Sequence, residues 1–370
     1  MSPLSDPNRT TSPGSTLASR NVFLTGHTGF KGSWLALWLH RIGATVHGFA
    51  LDPPTQPSIF EAAGVHSLLA SDTRRDLARR DELLGAMRSA NPEVVFHLAA
   101  QPLVRASYQD PVGTFMTNVM GTAHLLDAVR QVESVKAVVL ITTDKVYHNR
   151  EWVHPYRESD RLGGHDPYSA SKAATEIVAA SFRASYFGAG GDHSARVATA
   201  RAGNVIGGGD WAPDRLVPDC LEAFGRGDPV VLRFPGAVRP WQHVLEPLSG
   251  YLALAAALLG EHGDTFSQAW NFGPGEAGNA TVGEVAESLA KIWGAGASII
   301  HDTGGTHPHE AGLLSLDSSF ARERLGWRPR WTLDGALERT IEWHKRWMER
   351  GDMQSVSLAQ IEEYESSPPR

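Results

Sequence analysis

The run VKAVVLITTDKVY ends an apolar stretch with Thr142, Thr143, Asp144 and Lys145, so two hydroxyls, a carboxyl and an amine stand side by side. Further along, YSASK sets Tyr168 and Lys172 at i and i+4, neighbours on one helix face. An ammonium beside a phenol favours the phenolate, which suits Tyr168 to act as a base near neutral pH. A carboxyl next to an amine suits paired general acid and general base work. Both sets also have plainer readings, a salt-bridged pair at a strand end and a surface helical pair. The context in which they sit has to decide.

That context is a strand-turn-helix opening. NVFLTG reads as a compact strand, and TGHTGFKG then supplies Gly26, Gly29 and Gly32 at G-x-x-G-x-x-G spacing before the helical pattern SWLALWLHRIG, whose apolar positions fit one face. Missing side chains let a backbone approach a diphosphate, and the following helix offers unpaired N–H groups. A tight turn without a ligand is the bland alternative. Thr28, Phe30 and Lys31 complete the turn and join the expected dinucleotide site. Asp52 ends the second strand, ATVHGFALD, where a carboxylate takes both ribose hydroxyls and repels a 2'-phosphate; NAD is therefore favoured over NADP. Asp52 reads alternatively as a solvated loop acid before Pro53 and Pro54. Asp76 and Leu77 follow the third strand, at the expected adenine edge, and Ala99, Ala100 and Gln101 end the fourth, EVVFHLAA. Asn118 and Thr142 complete the expected cofactor set, with Tyr168 and Lys172.

From Asn21 onward, near-continuous apolar strands alternate with helical patterns such as DELLGAMRSA and TAHLLDAVRQV, the signature of a parallel sheet covered by helices. The expected architecture is α/β, a Rossmann-type doubly wound parallel sheet with a smaller C-terminal substrate-binding lobe. Its expected divisions are a disordered tail at 1–20, an NAD-binding domain at 21–203, a mainly substrate-binding lobe at 204–360 with segments returning to the first domain, and a flexible tail at 361–370. Hydrophobic residues make up 42% and charged residues 20% of the 370, ample for a large core. A net charge of -7 without a Lys/Arg-rich run leaves no electrostatic footprint for nucleic acid or an anionic membrane. A lone Cys220 forms no internal disulfide and has no ligand partners at metal spacing; no metal is expected, and HPHE at His307–Glu310 reads as an isolated, solvated loop. With no apolar leader or span, a cytoplasmic setting is expected.

The strand-end hydroxyl, the Y-x-x-x-K pair and the glycine turn together resemble the extended short-chain dehydrogenase/reductase superfamily, in its nucleotide-sugar branch. The resemblance implies that Thr143 positions a substrate hydroxyl, Tyr168 is the base, and Lys172 holds the cofactor ribose and tunes Tyr168. The pieces GHTGFKGSW, AAQPLV, TTDKVY, LGGHDPYSASK, AGNVIGGGDW and RPWQHVLEPLSGYL resemble, more narrowly, the CDP-glucose 4,6-dehydratase group, where Thr-Asp-Lys stands in place of the Thr-Asp-Glu of sister dehydratases. Once a sugar C4 hydroxyl is a ketone, the C5 hydrogen is acidic and a base with an opposed acid expels the C6 hydroxyl as water. In that reading Asp144 is the acid and Lys145 the base, and Lys145 must be neutral, its pKa lowered by burial near Lys172 and the cofactor. The resemblance also implies an NAD cofactor, CDP-glucose as substrate, a place in deoxysugar and lipopolysaccharide O-antigen biosynthesis, and a homodimer or dimer of dimers built on GTFMTNVMGTAHLLDAVRQV and YSASKAATEIVAASFRASYF. Asn204, Arg215, Arg239, Trp211 and His243 are the expected substrate contacts, with a surface position the alternative for either arginine, core packing that for the tryptophan and a structural role that for the histidine. A 4-epimerase or reductase and a non-catalytic nucleotide-binding module are the competing functions.

Overall fold

The computed structural model describes residues 13–232, 234–275, 278–301 and 312–370; the His307–Glu310 stretch lies outside them. Strands β1 (Asn21–Thr25), β2 (Thr45–Ala50), β3 (Ser71–Arg74), β4 (Val94–His97), β5 (Ala137–Ile141) and β6 (Arg196–Ala202) alternate with helices. They are followed by β7 (Asn204–Ile206), β8 (Pro229–Leu232), β9 (Val238–His243), β10 (Ala269–Phe272), β11 (Asn279–Thr281) and β12 (Ser298–His301). The main sheet runs β10-β6-β5-β4-β1-β2-β3, and every neighbouring pair in it is parallel. Strands β4 and β5 are buried at every residue, because helices cover both faces of the sheet. Strand order reverses between β1 and β4, so the carboxyl ends of β1, β4 and β5 open onto the crevice where such sheets take ligands.

The C-terminal half builds a smaller lobe around β9, flanked by β7 in parallel and β11 antiparallel, with β8 and β12 forming a separate parallel pair. Its core holds Val217, Leu221, Phe224, Trp241, Val285 and Leu289. This half also returns to the main sheet. Strand β10 adds its seventh strand beside β6, and the helix Leu245–Leu259 packs Leu248, Tyr251 and Leu252 into the same core as Trp34, Leu35 and Val139.

Three sequence expectations change here. The helix Phe30–Arg41 buries every residue from Gly32 to Leu39 rather than one face. The reason is the helix Met353–Ser366, which lies on its outer side: Trp38 Nε1 donates to Glu365 Oε1 at 2.7 Å and its ring meets Tyr364 edge-on. The expected flexible tail from 361 is therefore a packed element, with Ile361 and Tyr364 buried. At the other end, the expected tail at 1–20 has an ordered portion. Pro13–Leu17 is helical, Leu17 is fully buried, and Arg20 pairs with Glu93.

Removing buried methyl groups at Leu17 leaves a cavity in the main core. Leu17→Ala is expected to cost about 2–5 kcal/mol, read as a lowered urea midpoint with an unchanged slope.

Candidate active site

The glycine turn is shaped by contacts no side chain could survive. Gly26 adopts φ of 75°, and a methyl group there would lie 2.6 Å from the Ala99 nitrogen; one on Gly32 would lie 2.0 Å from the Gly26 carbonyl oxygen. The helix Phe30–Arg41 starts at Gly29 without a side-chain cap, so its first N–H groups face outward for an anion. This cradle fits a dinucleotide diphosphate. Thr28 Oγ1 donates to the Leu51 carbonyl at 2.9 Å and ties the turn to the end of β2. Asp52 stands exposed after that strand, with Arg74 Nη1 at 3.3 Å. Phe30, Lys31 and Ala100 line a cleft of about 940 Å³ that continues past Thr142, Thr143, Asp144, Lys145, Tyr168 and Lys172. Burial pushes the Lys31 amine down to about 7, and its Nζ donates to Tyr251 Oη at 3.2 Å.

Thr143 caps the short turn Asp144–Val146 and donates its hydroxyl to Asp144 Oδ1 at 2.9 Å. Asp144 is buried, and its Oδ2 has no hydrogen-bond partner among the described residues. Burial raises its pKa, with the neighbouring Lys145 working against that shift. A carboxyl held toward its protonated form is a proton donor. Tyr168 lies in the first turn of the helix Pro167–Tyr186, which Asp166 caps by accepting from the Ser169 nitrogen at 2.9 Å. The tyrosine's own N–H goes to Ser107 Oγ at 3.1 Å. Within the chain, burial pushes the Tyr168 phenol up to about 12, the reverse of the expected depression, and Thr143 opposes that rise. Lys172 directs its ammonium elsewhere: Nζ donates to the Ile141 carbonyl at 3.0 Å, and burial brings the amine down to about 8.

Behind these groups is a carboxylate that the sequence reading missed. Glu176 accepts from Thr142 Oγ1 at 2.6 Å, Thr199 Oγ1 at 2.7 Å, and Arg201 Nε and Nη2 both at 2.9 Å. Arg201 passes on to Tyr147 Oη at 2.8 Å, and Tyr147 to Asn271 Oδ1 at 2.7 Å. Tyr168, Lys172 and Glu176 recur at i, i+4 and i+8, a spacing that was visible in the sequence.

Several expected cofactor and substrate residues have their side chains engaged within the chain. Thr142 lines the cleft, but its hydroxyl belongs to Glu176. Asn118 is buried in the π-helical turn Met116–Met120, its amide committed to Gln101 and Ser171. Gln101 in turn spends its side chain on Leu103 N and Thr114. Leu77 is a core residue packed with Phe23, Leu83 and Leu125, and Asp76 accepts from the Ala78 nitrogen at 2.8 Å in an exposed turn. From the smaller lobe, Asn204, Arg215 and Arg239 reach the cleft, Arg215 held by Asp210 at 2.8 Å. Trp211 instead packs edge-on against Trp343 and Trp347. His243 is buried between Trp34 and Trp331, and burial keeps it neutral with a pKa of about 3. His243 is a core residue and Trp211 a half-buried one packed against the core, because the smaller lobe closes on the C-terminal helices at this point.

A nucleotide-shaped crevice at a strand-order reversal, a glycine cradle and a Tyr-Lys pair on one wall define a class: the chain belongs to the NAD dependent epimerase/dehydratase family, whose model matches residues 22–269. NAD is the coenzyme of that family. Within it, the chain is 51% identical over 353 residues to CDP-glucose 4,6-dehydratase of Salmonella typhimurium (strain LT2), covering 95% of this chain and 98% of that protein. It is 29% identical over 335 residues to dTDP-glucose 4,6-dehydratase of Streptomyces antibioticus, covering 88% and 92%. The solved structure of MoeE5 in complex with UDP-glucuronic acid and NAD aligns with a TM-score of 0.72 at 27% identity, covering 88% of this chain and 99% of that one.

A carboxyl whose folded pKa lies above its unfolded value takes up a proton on folding. Asp144 therefore costs nothing below the ordinary value of 3.8, and destabilises as pH rises through its raised folded value. Asp144→Asn is expected to match the parent's unfolding midpoint near pH 3.5 and exceed it at pH 8, checked by urea unfolding across that range.

Proposed function

We propose that the chain dehydrates CDP-D-glucose to CDP-4-dehydro-6-deoxy-D-glucose. The observation that carries the reading is Asp144: a buried carboxyl with one unpartnered oxygen, set between the hydroxyl of Thr143 and the amine of Lys145 on the wall of a cleft that also holds Tyr168. A 4-epimerase, which only oxidises and re-reduces one carbon, gives such a group no work. The relative with 51% identity supports the same reaction and the cytidine nucleotide.

Bound NAD supplies the chemistry of hydride removal from C4 and its return to C6. Thr143 positions the C4 hydroxyl and Tyr168 takes its proton. A phenol held high by burial is a poor base in an empty pocket, so the positive charge that enters the site with the coenzyme, and Lys172, have to lower it. Asp144 donates its proton to the departing C6 hydroxyl, and Lys145 removes the C5 proton. Arg215 and Arg239 supply planar guanidinium forks for the substrate diphosphate, and Asn204 an amide beside them.

The exposed apolar residues Val112, Met116 and Met120 lie on the segments that pack beside the helix Pro167–Tyr186, and the exposed Ile177 lies on that helix. A second copy of the chain covers them in the reading proposed here. No helix among the described residues is long and apolar enough to cross a membrane.

Deuterium at C4 of CDP-glucose is expected to reappear at C6 of the product without net NADH accumulation; label lost to solvent overturns the reaction. CDP-, dTDP-, GDP- and UDP-hexoses tested side by side check the base preference. Lys145→Ala should still oxidise C4 but slow C5 solvent exchange by about 10²–10⁴-fold, and exchange at the parent rate removes this lysine from the base role. For the assembly, Met116→Asp with Ile177→Asp is expected to halve the mass seen by sedimentation equilibrium.

A further inference from the structure

At the end of β3, outside the cleft described above, Arg74 is held in a cluster that the reaction does not use. Its Nε lies 2.6 Å from Asp72 Oδ1 and its Nη2 2.9 Å from Asp72 Oδ2, a two-point grip, while Nη1 reaches Asp52 Oδ1 at a longer 3.3 Å. The guanidinium also stacks over the Phe60 ring, 4.6 Å from its centre. Asp72 is anchored from the other side by His27, whose Nε2 is 2.8 Å from Oδ1. His27 belongs to the glycine turn and lies against Gly48, where a methyl group would come within 2.7 Å of the ring. The next arginine, Arg75, is engaged by Glu82.

This arrangement sits beside the residue that decides between NAD and NADP. A carboxylate at the end of β2 takes the ribose hydroxyls of NAD, whereas an arginine nearby accommodates a 2'-phosphate. Here both are present within 3.3 Å of each other. Asp52 cannot restrain Arg74 by itself, since its side chain is 88% exposed and offers one long contact. Asp72 can, because both its oxygens face the guanidinium and His27 fixes their direction. With His27 kept neutral by burial, Asp52, Asp72 and Arg74 sum to one negative charge, which repels a phosphate dianion.

We propose that Asp72 is a specificity-determining residue for the coenzyme: by gripping Arg74 through both carboxylate oxygens, it withholds from a 2'-phosphate the guanidinium that would otherwise bind it. The inference rests on the reading that Asp52 marks the adenosine ribose. Asparagine at position 72 keeps the shape and an acceptor for His27 but removes the charge that holds the arginine.

The test is titration of the full-length protein with NAD+ and with NADP+, followed by tryptophan fluorescence and by calorimetry, for the parent, Asp72→Asn, Asp72→Asn with Arg74→Ala, and Asp52→Asn. Asp72→Asn is expected to tighten NADP+ binding by about tenfold while NAD+ stays within about threefold, and the gain should vanish when Arg74 is also removed. Unchanged NADP+ affinity in Asp72→Asn, or a gain that survives without Arg74, overturns the proposal. Asp52→Asn leaves the Asp72 grip in place and alters an exposed side chain, so it serves even where the first variant does not fold. It is expected to improve NADP+ by less than about threefold, and a tenfold gain overturns the proposal by making Asp52 sufficient. A parent that binds neither dinucleotide overturns the cofactor reading along with this one, whereas NAD+ binding with NADP+ unmoved overturns this one alone.

Discussion

The geometry of the candidate site depends on one buried ion pair, Glu176 with Arg201. Each side chain is about 3% exposed, and a carboxylate at that depth persists only when its lone pairs are met. Two threonines and the Nε–Nη2 edge of the guanidinium meet them, and they come from different elements: Thr142 from the end of β5, Thr199 and Arg201 from β6. Thr143, Asp144 and Lys145 follow directly from Thr142, and Tyr168 and Lys172 precede Glu176 by two turns and one turn of the same helix. The distance between the two halves of the reacting constellation is thus set by a group that touches neither. Pairs of this kind are weak sources of stability but strict about position, since moving either partner leaves a charge uncompensated in the interior. Through Tyr147 and Asn271 the constraint extends to β10, the strand from the C-terminal half that pairs with β6 at the sheet's edge.

Burial also decides the charge state of the cleft. It raises the pKa of Asp144 and Tyr168 and lowers that of Lys31 and Lys172, so four ionisable groups are all pushed toward their neutral forms. The fixed charge of the cleft therefore comes mainly from other lining residues such as Arg215, Arg239 and Asp210. The nicotinamide cation favours the phenolate, and a nucleotide diphosphate favours ammonium groups over amines. The protonation states required for the reaction therefore arise with the bound complex.

Much of the fold was legible because parallel strands buried on both faces read as continuous apolar runs, as VKAVVLI does, and because the glycine spacing sits where strand passes to helix. Thr143, Asp144, Lys145, Tyr168 and Lys172 converge on one cleft as their motifs imply. What escaped was set by contacts distant in sequence. The helix Phe30–Arg41 reads as amphipathic until a helix beyond residue 350 covers its outer face. Asn118 and Thr142 are polar and near the site, yet their hydrogen-bonding capacity is used by Gln101, Ser171 and Glu176. His243, at the end of β9, turns inward between Trp34 and Trp331, and Trp211, in the loop after β7, packs against Trp343 and Trp347 of the helix Leu333–Met348, partners far away in the sequence. Asp72 and Arg74 gave no signal at all, since their meaning comes from Asp52 and His27 on neighbouring elements.

The cover provided by the helix Met353–Ser366 has a bearing on biogenesis. Trp38 is synthesised long before the Tyr364 and Glu365 side chains that shield it. At about 5–20 residues per second, the helix Phe30–Arg41 waits on the order of tens of seconds with an indole face uncovered and open to holding chaperones. A chain released before that point carries an uncovered tryptophan face that quality control can distinguish from finished protein.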